Sequence, residues 1–182
     1  MQITIELVIL GLVIFGVLFW QYSTLISLYS GIQYVYSKDS TIKLACSMAK
    51  LAKNENYYEL GSGLGRGLKI ATNNFGANST GFEISPFHYL VSKFLTMKNH
   101  QIKITRSNFL QFDLSKADVI YCYLCNKLMN SLSIQFFKQL KPGTRIVSYC
   151  FELPNIVPKK TEIINGKKLR LYIIWFILSF MV

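Results

Sequence analysis

Tyr57-Tyr58-Glu59-Leu60-Gly61-Ser62-Gly63-Leu64-Gly65-Arg66-Gly67 decides how this 182-residue chain is read. An apolar strand-like run ends in an acid, and alternating glycines then open what reads as a helix from about Gly65 to Asn74. Glycine is required where a backbone turns sharply or lies against a ligand, because a Cβ would block the approach. The pattern is not that of a phosphate cradle. A dinucleotide site spaces its glycines G-x-G-x-x-G and aims the helix N-terminus at a pyrophosphate. Here the third glycine comes one residue early, at Gly65, and Arg66 stands where it would fall. A carboxylate at Glu59 repels phosphate and suits a cation.

A second acid narrows the ligand further. Thr80-Gly81-Phe82-Glu83-Ile84 reads as a short strand, and Glu83 lies about 20 residues past the glycines, where an acid at a strand tip can accept both hydroxyls of a ribose. A ligand with a cationic amino-acid end, an adenosine and no phosphate is S-adenosylmethionine. It is the expected cofactor, with Glu59, Gly61, Ser62, Gly63, Gly65 and Glu83 as its binding residues. The competing reading, a glycine-rich turn without a ligand, leaves the two matched acids unexplained.

The net charge is +11, yet 51% of the residues are hydrophobic and the mean hydropathy is positive. Soluble basic proteins are seldom so apolar, so a membrane segment is expected. Leu7 to Leu28 contains no charged residue and is long enough to cross the hydrocarbon core, with Trp20 and Tyr22 suited to an interface. A cleaved signal peptide would need a basic leading region and a small-x-small site, and the sequence offers neither clearly. The expected division is an uncleaved anchor over residues 1–30 and a single domain over residues 31–182. Lys38, Lys43, Lys50 and Lys53 follow the span and Glu6 precedes it, which places that domain in the cytoplasm by the positive-inside rule.

Cys122 and Cys125 form a C-x-x-C inside an apolar run, with no second pair and with His88 and His100 remote in sequence. They read as structural cysteines, and no metal site is expected. The scattered lysines carry no aromatic–basic signature of nucleic-acid binding, so no nucleic-acid partner is expected and proximity to anionic lipid accounts for the charge.

The remaining chain alternates strands and helices. Ile42 to Leu51 has helical spacing. Pro86 opens a helix running to about Asn99, and Gln101–Thr105 reads as a third strand. Asp118–Leu124 is a fourth, Leu128–Leu140 a helix stopped by Lys141-Pro142-Gly143, and Thr144–Cys150 a fifth strand. Thr161–Ile164 and Lys168–Ile177 flank Asn165-Gly166, a strong hairpin signal. The run from Leu171 to Val182 follows Arg170 by only a dozen residues, so a central strand is expected there rather than a second span. This order predicts an α/β, doubly wound sheet covered on both faces.

The E-x-G-x-G-x-G stretch resembles the first motif of the class I S-adenosylmethionine-dependent methyltransferases. The resemblance covers about residues 31 to 177 and implies a Rossmann-like sheet of seven strands in the order 3-2-1-4-5-7-6. Several segments are similar to the small protein-lysine methyltransferases, some of them membrane-anchored. Gln33-Tyr34-Val35-Tyr36-Ser37 resembles their Pro-Tyr-Val-Pro-Ser/Thr segment but lacks both prolines. Asp118-Val119-Ile120-Tyr121-Cys122-Tyr123-Leu124 resembles their strand-four motif. Lys141-Pro142-Gly143-Thr144-Arg145-Ile146-Val147-Ser148 resembles their L-K-P-G-T-R-V-V-S segment, and Phe151-Glu152-Leu153-Pro154 its continuation. Asn108-Phe109 stands where the family often has acid-Phe, and asparagine can address an adenine edge as donor and acceptor.

The resemblance implies a methyltransferase acting on protein lysine. Tyr34 would close the cofactor pocket, Tyr123 would sit beside the sulfonium, and Glu152 would orient an incoming amine. Readings from other classes are a quinone-like small-molecule methyltransferase, a non-catalytic cofactor-binding module, and a membrane-anchored interaction protein with no cofactor.

Overall fold

The computed structural model describes residues 2–29 and 35–175. Its seven strands are β1 (Asn56–Leu60), β2 (Asn78–Glu83), β3 (Ile102–Arg106), β4 (Val119–Cys122), β5 (Arg145–Tyr149), β6 (Lys160–Ile164) and β7 (Lys167–Ile173). They form one sheet in the order β3-β2-β1-β4-β5-β7-β6, the order the resemblance implied. The first five are parallel to one another, and β7 runs antiparallel to both β5 and β6.

Side-chain alternation builds two cores from one sheet. Tyr58, Leu60, Ile120, Cys122, Ile146 and Tyr172 face α5 (Asn126–Gln139) through Met129, Leu132 and Phe136. Tyr57, Val119, Tyr121, Val147 and Leu171 face the other way, onto Ile42 and Ala45 of α2 (Asp39–Met48) and Leu68 and Ala71 of α3 (Arg66–Phe75). Continuous apolar strands of this kind belong to parallel sheets buried on both faces. α4 (Pro86–Thr96) packs on β3 and β2. Ser85 caps it, the Ser85 hydroxyl accepting from His88 N at 3.3 Å, with Pro86 in the first helical turn.

Cys46 and Cys122 are buried and unpaired in disulfides, and burial pushes both thiols up to about 12. Packing is their evident role. β7 ends at Ile173, two residues before the last described residue, Trp175, and the part of the expected strand beyond Trp175 lies outside the described residues.

α1 (Gln2–Tyr29) is a single 28-residue helix. Its first half stands free of the domain. Among its described side chains only Phe19, Ser23, Ile26 and Ser27 lose substantial exposure, one face of its last turns, and the helix packs there on α4. The Ser23 and Ser85 hydroxyls are 2.6 Å apart, and Phe87 N donates to Ser23 Oγ at 3.0 Å.

Candidate active site

The strand order reverses between β1 and β4, so the loops leaving β1, β2 and β4 converge at the carboxyl edge of the sheet, where α/β proteins bind ligands. Gly61, Gly63 and Gly65 all take positive φ, at 78°, 52° and 74°, which lets the loop fold back across the ends of β1 and β2. Gly67 serves a different purpose. A Cβ there would overlap the Glu59 carboxylate, which lies against the start of α3.

The two acids are held in different ways. Glu83 receives Gly63 N and Ser85 N on its two oxygens, each at 2.8 Å, so the glycine loop and the α4 cap hold its carboxylate in place. Glu59 is 7% exposed, receives Leu68 N, and has its Oε2 without a partner. Burial raises its carboxyl to about 8, with the charge on Glu83 adding to the shift. The buried Ser62 hydroxyl is a second unsatisfied atom in the same loop. Orphaned buried polar atoms cost stability unless a ligand completes them.

Two clefts meet at Gly61 and Glu83. One is lined by Glu59, Ser62, Gly63, Gly67, Tyr121 and Tyr123 among others, the second by Phe82, Ile84, Asn108, Phe109, Leu110 and Leu128. An amino-acid end on the Glu59 side, an adenosine on the Asn108 side and a ribose over Glu83 fit this shape and these charges. Asn108 Oδ1 accepts from Leu110 N at 3.0 Å, capping a single 3-10 turn (Phe109–Gln111), so its amide end alone can address an adenine edge.

Tyr123 follows β4 and lines the first cleft. Its ring packs against Tyr149 at 4.7 Å and Phe151 at 6.5 Å. Lys167 Nζ donates to the Tyr123 hydroxyl and lies 5.0 Å from the centre of that ring and 5.8 Å from that of Tyr149. Glu152 is placed elsewhere. Its carboxylate accepts from Arg170 Nη2 at 2.5 Å and it lines neither cleft. Tyr34 lies outside the described residues.

Several cleft residues escaped the sequence reading. Tyr121 shares a strand face with Tyr123, and its hydroxyl bonds to Ser37 at 2.9 Å. Arg66 pairs with Asp39 and stacks 4.6 Å over Tyr36, fastening the segment before α2 across the glycine loop. Ser27 and Tyr29, at the end of α1, line the first and second clefts respectively.

The fold and these paired acids define a class I S-adenosylmethionine-dependent methyltransferase. The sequence profile of the ANTKMT methyltransferase domain matches residues 59–160, and the chain belongs to that family. A curated relative, a protein-lysine N-methyltransferase of Saccharolobus islandicus, is 29% identical over 133 residues, covering 71% of this chain and 83% of its own. An RNA methyltransferase from Salinibacter ruber, solved with S-adenosylhomocysteine, superposes with a TM-score of 0.75 at 25% identity over 78% of this chain and 94% of that one. A methyltransferase from Thiobacillus denitrificans, at 18% identity and a TM-score of 0.55 over 69% of this chain and 54% of its own, shares the fold.

Proposed function

We propose that this enzyme methylates lysine side chains of proteins at a membrane that α1 spans. The observation that carries the acceptor is at Tyr123: a lysine amine, that of Lys167, already rests against its hydroxyl at the edge of the cofactor cleft. A primary amine therefore fits the aromatic wall of Tyr123, Tyr149 and Phe151. The lysine-methylating relative supports the same reading.

When bound, S-adenosylmethionine supplies a methyl group on a cationic sulfur, which a neutral amine can displace. Glu59 and Ser62 would hold its amino-acid end, Glu83 its ribose, and Asn108 and Phe109 its adenine. Tyr123 orients the acceptor amine by hydrogen bonding, and the amine must be neutral when it attacks because its lone pair takes the methyl carbon. Glu152, tied to Arg170, braces the loop after β5 in this reading rather than meeting the amine.

The anchor reading rests on α1. Thr4–Tyr29 has mean hydropathy 2.1 in its most apolar window, none of it buried. It is unlike a core helix, and its last turns wall the clefts, so removal as a signal would open the site. Residues 1–30 then serve as the anchor and residues 31–182 as the methyltransferase domain, with α1's end shared between them. Basic residues cluster on the domain side, which faces the cytoplasm on this reading.

The test is radiolabelled methyl transfer by the full-length enzyme into a cell extract separated into protein, lipid and RNA. Label on protein lysine is expected. Label confined to lipid would favour a quinone-like acceptor, and label confined to RNA would favour the activity of the Salinibacter neighbour. Either would overturn the lysine assignment and leave the methyltransferase standing.

A further inference from the structure

Outside α1, four of the eleven exposed large apolar side chains among the described residues lie together on one element. On α4 and the residue capping its end, Leu90, Phe94, Leu95 and Met97 are 53, 72, 46 and 64% exposed. Leu90, Phe94 and Met97 fall at i, i+4 and i+7, a single stripe, while Ser92 and Thr96 turn inward and are buried. Lys93 and Lys98 flank that stripe. The same helix is where α1 is attached, through Ser23 to Ser85 and Phe87.

The length of α1 sets the distance between bilayer and domain. At about 1.5 Å per residue its 28 residues measure about 42 Å, and a hydrocarbon core of about 30 Å consumes about 20 of them. The domain grips the helix from Phe19 onward, with Trp20 and Tyr22 in the same turns, so no spacer separates the start of α4 from the lipid surface.

We propose that α4 lies in the membrane interface, with Leu90, Phe94 and Met97 among the upper acyl chains and Lys93 and Lys98 at anionic headgroups. Amphipathic helices with basic flanks take this position, their apolar face sunk about 5–10 Å into the boundary. The cofactor clefts, walled by Ser27 and Tyr29, are then held at headgroup level. Acceptor lysines within reach are those close to the membrane surface. The proposal rests on the reading of α1 as a span.

The test uses the full chain in phosphatidylcholine–phosphatidylglycerol vesicles containing brominated lipid. The chain has two tryptophans, Trp20 in α1 and Trp175. Phe94→Trp places a third at the exposed stripe, and Ile134→Trp, at a 60% exposed site on α5, is the control. The emission added at position 94 should be lost with lipid brominated near the headgroup and spared at position 134. Quenching of the wild type with none added at position 94 would overturn the proposal while leaving α1 inserted. Blue-shifted but unquenched emission at position 94 would assign the stripe to a second copy or another protein, and also overturn it. No quenching in any variant would overturn this proposal and the span together.

Discussion

Burial moves the Glu59 carboxyl far above its ordinary value near 4.5. Its raised value of about 8 means that, between these limits, the unfolded chain has released a proton that the folded chain still holds. Stability without cofactor therefore falls as pH rises from about 4.5 and levels off above about 8. Glu59→Gln should abolish that slope, read as unfolding midpoints in urea at about pH 5 and about pH 8.5. A cationic ligand favours the ionised carboxylate, so cofactor binding should release a proton in calorimetry of the wild type. Glu83→Ala should weaken cofactor binding by about 1–3 kcal/mol, the loss of charge-assisted hydrogen bonds. Tyr123→Phe removes only a hydroxyl. It should lower kcat well beyond any change in cofactor affinity, a split that steady-state kinetics beside calorimetry would show.

Among the elements, α1 is the one with two duties. The described side chains of its apolar first half are exposed, whereas Ser23, Ser27 and Tyr29 belong to the α4 junction and the cleft walls. The two halves should separate experimentally. Deleting residues 1–18 should remove the span and leave a protein that still binds cofactor. Deleting residues 1–28 also removes Ser23 and Ser27, exposes the Ser85 cap, and should weaken cofactor binding in calorimetry. Equal affinities in the two truncations would show that the last turns of α1 contribute nothing to the site.

Across the whole molecule, the segments that resemble the family divide by the edge of the sheet they occupy. Asp118 and Lys141 lie at the opposite end of β4 and β5 from the clefts. Asp118 accepts Asn56 N at 2.8 Å and Lys141 Nζ at 2.5 Å, joining β1, β4 and the loop before β5. Arg145 extends the clasp, donating to Ala49 O at 2.8 Å and to Glu55 at 2.6 Å. Asp118→Ala should cost about 1 kcal/mol or more of stability in urea unfolding, as expected when a backbone donor loses its acceptor. Cofactor affinity should be unchanged.

The glycine loop, Glu59 and Glu83 were legible in the sequence because their constraints are local. A carboxylate at a strand end and glycines at alternate positions dictate a turn whatever surrounds them, and the alternating elements then dictate a doubly wound sheet. Long-range register could not be read the same way. Ser148 pairs with Arg170 across an antiparallel register between distant segments, and that pairing carries the Arg170 guanidinium to Glu152. Tyr121 was hidden by its place within an apolar run. Ser23 and Ser27 left a faint trace, two hydroxyls four residues apart in an apolar helix, but a partner for them exists only once α4 is folded beside it. Cofactor chemistry and class of fold were readable from residue order, because both follow from neighbours along the chain. That a helix long and apolar enough to cross a membrane also lines the candidate clefts became visible only in the folded chain, because it depends on surfaces that meet across 62 residues of chain.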